Sequence, residues 1–371
     1  MKSLTVVQVL PMLQSGGVER GTLEIARALV AAGHRSIVIS HGGRLVAQLV
    51  AEGSEHIEMP VHRKSLVSLW QVGPFRRLLR EIKPDIVHAR SRVPAWVAWL
   101  AWRGLPATDR PHFVTTVHGL YSVSFYSAIM TKGERVIAVS ESVRDYIRAH
   151  YRHCPEDRVR LIYRGVAPTE FPHGYRPTET WLAAWRRDFP GLAGQPVLTL
   201  PGRITRLKGH ETFLELIKAL RDRGLPVQGL IVGGAEESKQ AYLLELQAKA
   251  QAAGLSQQVH FTGHRSDMRD IFSQSTLVFS LSNKPETFGR TTLEALSIGA
   301  AVVGWSHGGV GEILRACYPA GLVEKDDIAG LITTCERLLR DPVPVAPVTR
   351  FTLDDMCAQT LAVYRELAGD A

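Results

Sequence analysis

Two glutamates eight residues apart, Glu286 and Glu294, bracket the stretch KPETFGRTTLE at 284–294. The apolar run TLVFS before it predicts a strand, and TLEALSIGA after it predicts a helix. Glu286 is therefore expected in a strand-to-helix loop and Glu294 in the first turns of the helix. At 1.5 Å of rise per helical residue the two carboxylates stand roughly 12 Å apart, too far to hold one atom. They suit the two polar ends of a long ligand with a helix N-terminus between them. Gly289 and the N–H groups of Arg290 and Thr291 would face an anion there. The plainer alternative is an acidic residue near a helix start followed by an exposed helical glutamate.

Three other stretches carry chemistry-bearing residues in the same strand–loop–helix setting. LPGRITRLKGHETF (200–213) puts Arg203 and Lys208 in a loop where a guanidinium and an ammonium would clamp phosphate oxygens, with Arg206 as a substitute for either. It lacks the Gly-Lys-Ser/Thr ending of a P-loop, and a solvated basic loop is the alternative. LPMLQSGGVER (10–20) has Gly16 and Gly17 ahead of a helix, so backbone can approach a ligand closely, or simply turn. It is not a Gly-x-Gly-x-x-Gly dinucleotide fingerprint. TTVHGLY (115–121) ends an apolar strand with His118, either structural or turned toward a ligand.

The elements that must position these residues alternate along the chain. Short β-branched runs such as TVVQVL, RSIVIS, HFVTTV, RVIAVS, PVLTL and VQGLIV are separated by amphipathic stretches such as VERGTLEIARALVAAG and HETFLELIKALRDRG. That alternation predicts α/β architecture: two Rossmann-like domains with parallel sheets, facing a central cleft. RGVAPTEFPHGYRPTE (164–179) is rich in Pro, Gly and Thr and reads as an interdomain linker. The expected division is 1–168 and 169–350, with a last helical segment, 351–371, returning to the first domain.

Composition removes several function classes. The chain has 371 residues, 45% of them hydrophobic, and no apolar run near the roughly 18 residues of a membrane span. Its N-terminus reads as a first strand and not as a signal peptide. The four cysteines are scattered without zinc spacing, so they are expected as free thiols in a reducing cytosol. The net charge of +8 suits an anionic partner, and part of it is concentrated at 75–92. No nucleic-acid-binding module is recognisable, and no nucleic-acid partner is expected. Trp96, Trp99 and Trp102 fall along one helix face and suit either the domain core or a membrane interface.

Taken together, SGGVER, TTVHG, GRITRLKG and ETFGRTTLEAL followed by GAAVVGWSHGGVGEIL resemble the family 4 retaining glycosyltransferases of GT-B fold, as do RVIAVSESVRDYI and LIYRGV. The resemblance covers nearly the whole chain, with the motifs in the family's order. It implies a nucleotide-diphospho-sugar donor as substrate, no cofactor and no metal. By position it implies Glu286 on the donor sugar's hydroxyls, with Phe288 and Gly289 offering backbone contacts beside it. Glu294 would hold the ribose, Arg203 and Lys208 the diphosphate. Gly16 and Gly17 would approach phosphate and acceptor, and His118 would contact the donor sugar. Arg164 departs from the pattern, standing where the family usually has asparagine, and receives no role. The acceptor is expected to be a saccharide or a lipid-linked glycan. The C-terminal motif resembles enzymes of lipopolysaccharide core assembly, which implies a cytoplasmic protein at the inner face of an anionic membrane. An epimerase-like sugar-nucleotide enzyme of the same fold and an inactive glycan-binding protein are the competing readings.

Overall fold

The computed structural model describes residues 2–14, 16–63 and 65–369. Ser15, in the glycine stretch at 10–20, and the last two residues of the C-terminal segment lie outside the described residues. The chain forms two compact units, 1–165 with 353–371, and 166–352. Among the described residues no helix is long and apolar enough to cross a membrane.

The first unit opens with β1 (Thr5–Val9), α1 (Gly17–Ala31), β2 (Arg35–Ser40), α2 (Val46–Ala51), β3 (Glu55–Glu58), α3 (Leu66–Trp70) and α4 (Val72–Ile82). It continues with β4 (Ile86–Ala89), α5 (Arg92–Arg103), β5 (His112–Val117), β6 (Arg135–Ala138), α6 (Glu141–His150) and β7 (Val159–Leu161). The seven strands pair in the order β3-β2-β1-β4-β5-β6-β7, all parallel. Helices cover both faces of such a sheet, so its central strands lose the apolar–polar alternation. In β1, Val6 to Val9 are all buried, and β4 is buried throughout. The edge strand β3 reads Glu-His-Ile-Glu, and both glutamates are exposed. A charged edge resists pairing with a neighbouring chain, and for the same reason it carries no apolar signal in the sequence.

The second unit contains α7 (Glu179–Asp188), β8 (Val197–Pro201), α8 (His210–Asp222), β9 (Gln228–Val232), α9 (Gln240–Ala252), β10 (Val259–Phe261) and α10 (Met268–Ser273). It ends with β11 (Leu277–Ser280), α11 (Arg290–Ile298), β12 (Ala301–Trp305), α12 (Gly308–Cys317), β13 (Leu322–Val323) and α13 (Ile328–Arg340). Its six parallel strands run β10-β9-β8-β11-β12-β13. The core is aliphatic and aromatic, with Phe213, Phe272, Phe279 and Trp305 fully buried.

The chain then returns to the first unit as α14 (Leu353–Ala368), which packs on α1. Val166 and Thr352 form a parallel bridge, and the Val166 N–H donates to the Phe351 carbonyl at 3.1 Å. The two crossing segments are thus tied to each other where the second unit begins and ends. Tyr364 of α14 is fully buried, and its hydroxyl lies 2.6 Å from His88 Nδ1 on β4. Glu366 accepts from Arg135 and Arg160 beside it. All four cysteines are free, with Cys154 and Cys335 buried.

Candidate active site

Each sheet has one place where the strand order reverses direction. Loops leaving the carboxyl ends of the two strands there diverge to opposite faces and leave a crevice. In the second unit those strands are β8 and β11, so the crevice lies between loop 202–209 and loop 281–289. These are the loops that hold Arg203, Lys208, Glu286 and Phe288.

The two loops are fastened backbone to backbone. Asn283 donates its N–H to the Leu207 carbonyl at 2.8 Å and its side-chain amide to the Arg206 carbonyl at 2.9 Å. Gly209, with φ of 75°, lies so close to the Leu281 carbonyl that a Cβ there would collide with it. Lys208 Nζ consequently reaches Glu286 Oε1 at 2.7 Å, and the Ser282 hydroxyl donates to the same oxygen at 2.6 Å. Burial pushes the Glu286 carboxyl up, but the Lys208 charge and the two hydrogen bonds outweigh it and hold the group below the ordinary value. Glu286 is therefore an ionised acceptor at neutral pH. His307 supports this arrangement from behind, its Nε2 at 3.0 Å from the Ser282 carbonyl.

Helix starts face this crevice without side-chain caps. Gly209 precedes α8 and Gly289 precedes α11, both left-handed and neither bringing a side chain to its helix's first N–H groups. A Cβ on Gly289 would stand 2.7 Å from Val310 Cγ2, so glycine is required there by both conformation and space. Gly309 donates its N–H to the Glu286 carbonyl at 2.8 Å, and a side chain on Gly308 or Gly309 would drive into the backbone of Glu286 or Phe288. The GGVG stretch is thus the seat on which the Glu286 loop rests.

The remaining expected residues are placed differently. Arg203 is exposed and pairs with Glu236 at 2.7 Å. Arg206 does not stand in for it: its guanidinium is held by Glu211 and Glu245 and lies over the Tyr242 ring, which fixes it against α8 and α9. Glu294 is buried on α11 and accepts from Arg290 Nε at 2.8 Å, an i,i+4 pair. Phe288 is buried against Phe351, leaving its backbone as the part available to a ligand. Thr291 lies in the first turn of α11, partly exposed.

In the first unit the reversal lies between β1 and β4, so Gly16, Gly17 and Arg90 sit at the corresponding crevice. His118 and Arg164 follow β5 and β7 at the same sheet edge. Arg164 donates to the Gly17 carbonyl, and its guanidinium fills the space under Gly17 and Gly21. Arg90 is buried with its Nη1 3.0 Å from Gln8 Oε1. Two arginines therefore lie beneath the first turns of α1. A cavity of about 20 Å³, room for one water, opens among His88, Arg90, Thr116, His118 and Arg164. Burial, with Arg90, Arg164 and His88 nearby, holds His118 well below its ordinary pKa, so its imidazole is neutral.

Reading the sequence missed Ser282 and His307, which fix Glu286, and Arg90 beside Arg164. His307 stood directly before the GGVG motif, and Arg164 was visible as a departure from the family pattern; Ser282 gave no signal.

Two family models match consecutive parts of the chain: Glycosyltransferase Family 4 at residues 15–170 and Glycosyl transferases group 1 at 184–350. The chain belongs to glycosyltransferase family 4. A crystal structure of a glycosyltransferase from Rickettsia africae superimposes with a TM-score of 0.87 at 28% identity, covering 100% of both chains. D-inositol 3-phosphate glycosyltransferase 1 of Catenulispora acidiphila is 28% identical over 76% of this chain and 72% of its own length. The lipopolysaccharide core biosynthesis mannosyltransferase LpcC of Rhizobium leguminosarum is 26% identical over 83% of this chain and 84% of its own. The chain is thus a glycosyltransferase of GT-B fold.

Proposed function

We propose that this glycosyltransferase moves a sugar from a nucleotide-diphospho-sugar to a hydroxyl of a saccharide or lipid-linked acceptor, with retention at the anomeric carbon. The observation that carries the reading is the Lys208–Glu286 pair, set at the strand-order reversal between two glycine-capped helix starts. The site offers positive potential and hydrogen-bond donors to a diphosphate, and an ionised acceptor to sugar hydroxyls.

The chemistry follows from those groups. The bond from the anomeric carbon to the β-phosphate oxygen breaks, and its electron pair stays on the phosphate. Lys208 has three N–H donors, so it can keep Glu286 and still meet the developing charge. Arg203 and the α11 N-terminus meet it as well, so cationic side chains and backbone dipoles do the work of a metal. The acceptor oxygen bonds to the carbon, and its proton passes to the departing phosphate oxygen on the same face. Glu286, held ionised by Lys208 and Ser282, accepts hydrogen bonds from the sugar and is not free to act as a nucleophile. Neutral His118 serves as a hydrogen-bond partner of the sugar and not as a cation. Glu294 takes the ribose hydroxyls.

The acceptor is proposed to belong to a cell-envelope glycan, with the chain working at an anionic membrane surface on the cytoplasmic side. The likeness to LpcC and the chain's net charge of +8 support this reading.

Thermal unfolding with UDP, GDP and ADP, and with their sugar conjugates, tests the donor assignment on wild type and Glu294→Ala. A ligand at about 100 times its Kd adds roughly 2.7 kcal/mol. One base should raise the transition, and Glu294→Ala should reduce that rise. Arg203→Ala should lower turnover by about 10²–10³-fold. No response to any nucleotide at millimolar concentration would remove the donor reading.

A further inference from the structure

The first residue of α11 is one that the helix itself does not favour. Arg290 opens the helix, and no side chain caps the N–H groups of that turn. A helix N-terminus carries partial positive charge, so it repels a cation where it would hold a carboxylate. Glu294, the i,i+4 partner of Arg290, lies C-terminal to it, which is the weaker order for such a pair. Burial adds to the cost. The two side chains are 14% and 8% exposed, against 31% and 21% for Lys208 and Glu286. Two charges taken that far out of water return little net stability, and apolar side chains of similar volume commonly do as well or better. The surroundings would suit such side chains, because Leu293, Ala295, Leu296 and Ile298 of the same helix are all buried.

The pair therefore has a use outside folding. Side chains of an α-helix lean toward its N-terminus. Glu294 accordingly reaches back along α11 toward the crevice, and its Oε1 meets Arg290 Nε at 2.8 Å. Residues 290 and 294 are about 6 Å apart along the helix axis. That is the reach of one ribose, from a 5′-phosphate at the first N–H groups to the 2′- and 3′-hydroxyls at the carboxylate. An ionised carboxylate has about four acceptor positions, so Glu294 can keep Arg290 and still accept from both hydroxyls. The guanidinium is planar and keeps its charge at any working pH. It therefore sets the direction of the carboxylate as well as lying beside it.

We propose that Arg290 is a positioning residue for the ribose of the nucleotide. It acts through Glu294, aiming the carboxylate at the 2′- and 3′-hydroxyls, and so makes the site select ribonucleotides over 2′-deoxyribonucleotides. The inference rests on the nucleotide-donor reading above and deepens it by naming the residue that makes the ribose contact selective. Both residues belong to α11, so the whole device lies in the second unit.

The test is calorimetric titration of the full chain with UDP, GDP and ADP, and with the 2′-deoxy counterpart of whichever binds. The quantity read is the ratio of the two affinities, which a loss of fold or of phosphate contacts leaves alone. Wild type should prefer the ribonucleotide by about tenfold or more, the worth of a hydrogen bond to a charged group. Arg290→Met should bring that preference to about threefold or less, the worth of a neutral one. In a Glu294→Gln background the same substitution should change the ratio no further, because Arg290 then has no carboxylate to aim. Arg290→Lys keeps a cation beside the buried carboxylate and so protects the fold. It lacks the planar fork, and its preference should fall between wild type and Arg290→Met. An unchanged ratio in Arg290→Met and Arg290→Lys, or equal weakening of both nucleotides, overturns the proposal and places the guanidinium on the phosphates or in the fold. A further drop in the Glu294→Gln background overturns it as well. If wild type binds both nucleotides equally, the ribose role of Glu294 fails and takes the proposal with it, while the donor reading stands. If no nucleotide binds, the donor reading itself fails.

Discussion

Lys208 and Glu286 should be energetically coupled in the ligand-free protein, and a double-mutant cycle measures the coupling. Lys208→Met removes the cation at nearly the same length, and Glu286→Gln removes the charge while keeping an oxygen for Ser282. The pair is 2.7 Å apart with side chains 31% and 21% exposed. Exposed pairs are worth about 0.2–1 kcal/mol, and breaking a fully buried one costs about 3–5 kcal/mol. A pair at this depth falls between, at about 2 kcal/mol of coupling. For a unit of this size that is roughly 4–8 °C in the unfolding midpoint. The single variants should be unequal. Lys208→Met leaves a mostly buried carboxylate without its cation, whereas Glu286→Gln leaves an ammonium that water can reach. Lys208→Met should therefore be the more destabilising. The sign with pH follows from the lowered carboxyl. The folded-state pKa lies below the ordinary 4.5, so the stabilisation is present above pH 4.5 and is lost as pH falls through the folded value. Thermal unfolding of the four proteins at pH 7 and again below pH 4 gives the whole set. Coupling within about 0.3 kcal/mol of zero at pH 7, or coupling unchanged by acid, would refute the electrostatic account of this loop pair.

Gly289→Ala should destabilise the second unit by about 2–3 kcal/mol, because a left-handed non-glycine residue costs about 1–2 kcal/mol and Val310 must also move; chemical denaturation reads this directly, and a loss under 0.5 kcal/mol would contradict it. His210, fully buried at the start of α8, is pushed down to about 4 by burial. The unfolded chain takes up its proton first as pH falls, so this group's stabilisation is complete above pH 6.5 and falls away toward pH 4, by roughly 3 kcal/mol. His210→Phe should flatten the slope of stability between those values, and an unchanged slope would show that another group carries it. Arg164→Ala removes one of the cations that depress His118, so the His118 pKa followed by NMR should rise toward its ordinary value; no movement would separate the two residues.

The residues with chemistry were legible because each sits where an apolar run stops. TLVFS ends and Glu286 follows; PVLTL ends and Arg203 and Lys208 follow; HFVTTV ends and His118 follows. In a parallel sheet every such stop lies at the same edge, so within each unit the strand pattern alone gathers that unit's candidates. What the pattern could not give is which candidate pairs with which. Lys208 and Glu286 are 78 positions apart, and they meet because β8 and β11 are neighbours in the sheet, an order that periodicity does not encode. Arg206 shows the converse. It has the same charge and nearly the same position as its loop neighbours, yet Glu211 and Glu245 bind it outside the site, and Glu245 comes from a helix remote in sequence. Arg90 belongs to the same class: it is unremarkable in its own segment, and only the clearance under Gly21 gives it a place beside Arg164. Gly17 and Gly21 are therefore not just loop permissiveness. They let a helix start settle onto buried guanidinium groups, which raises the positive potential at that end of α1 beyond what the helix alone supplies. A substitution at Gly17 should accordingly displace Arg164, since a Cβ there would stand 2.6 Å from its Nη1.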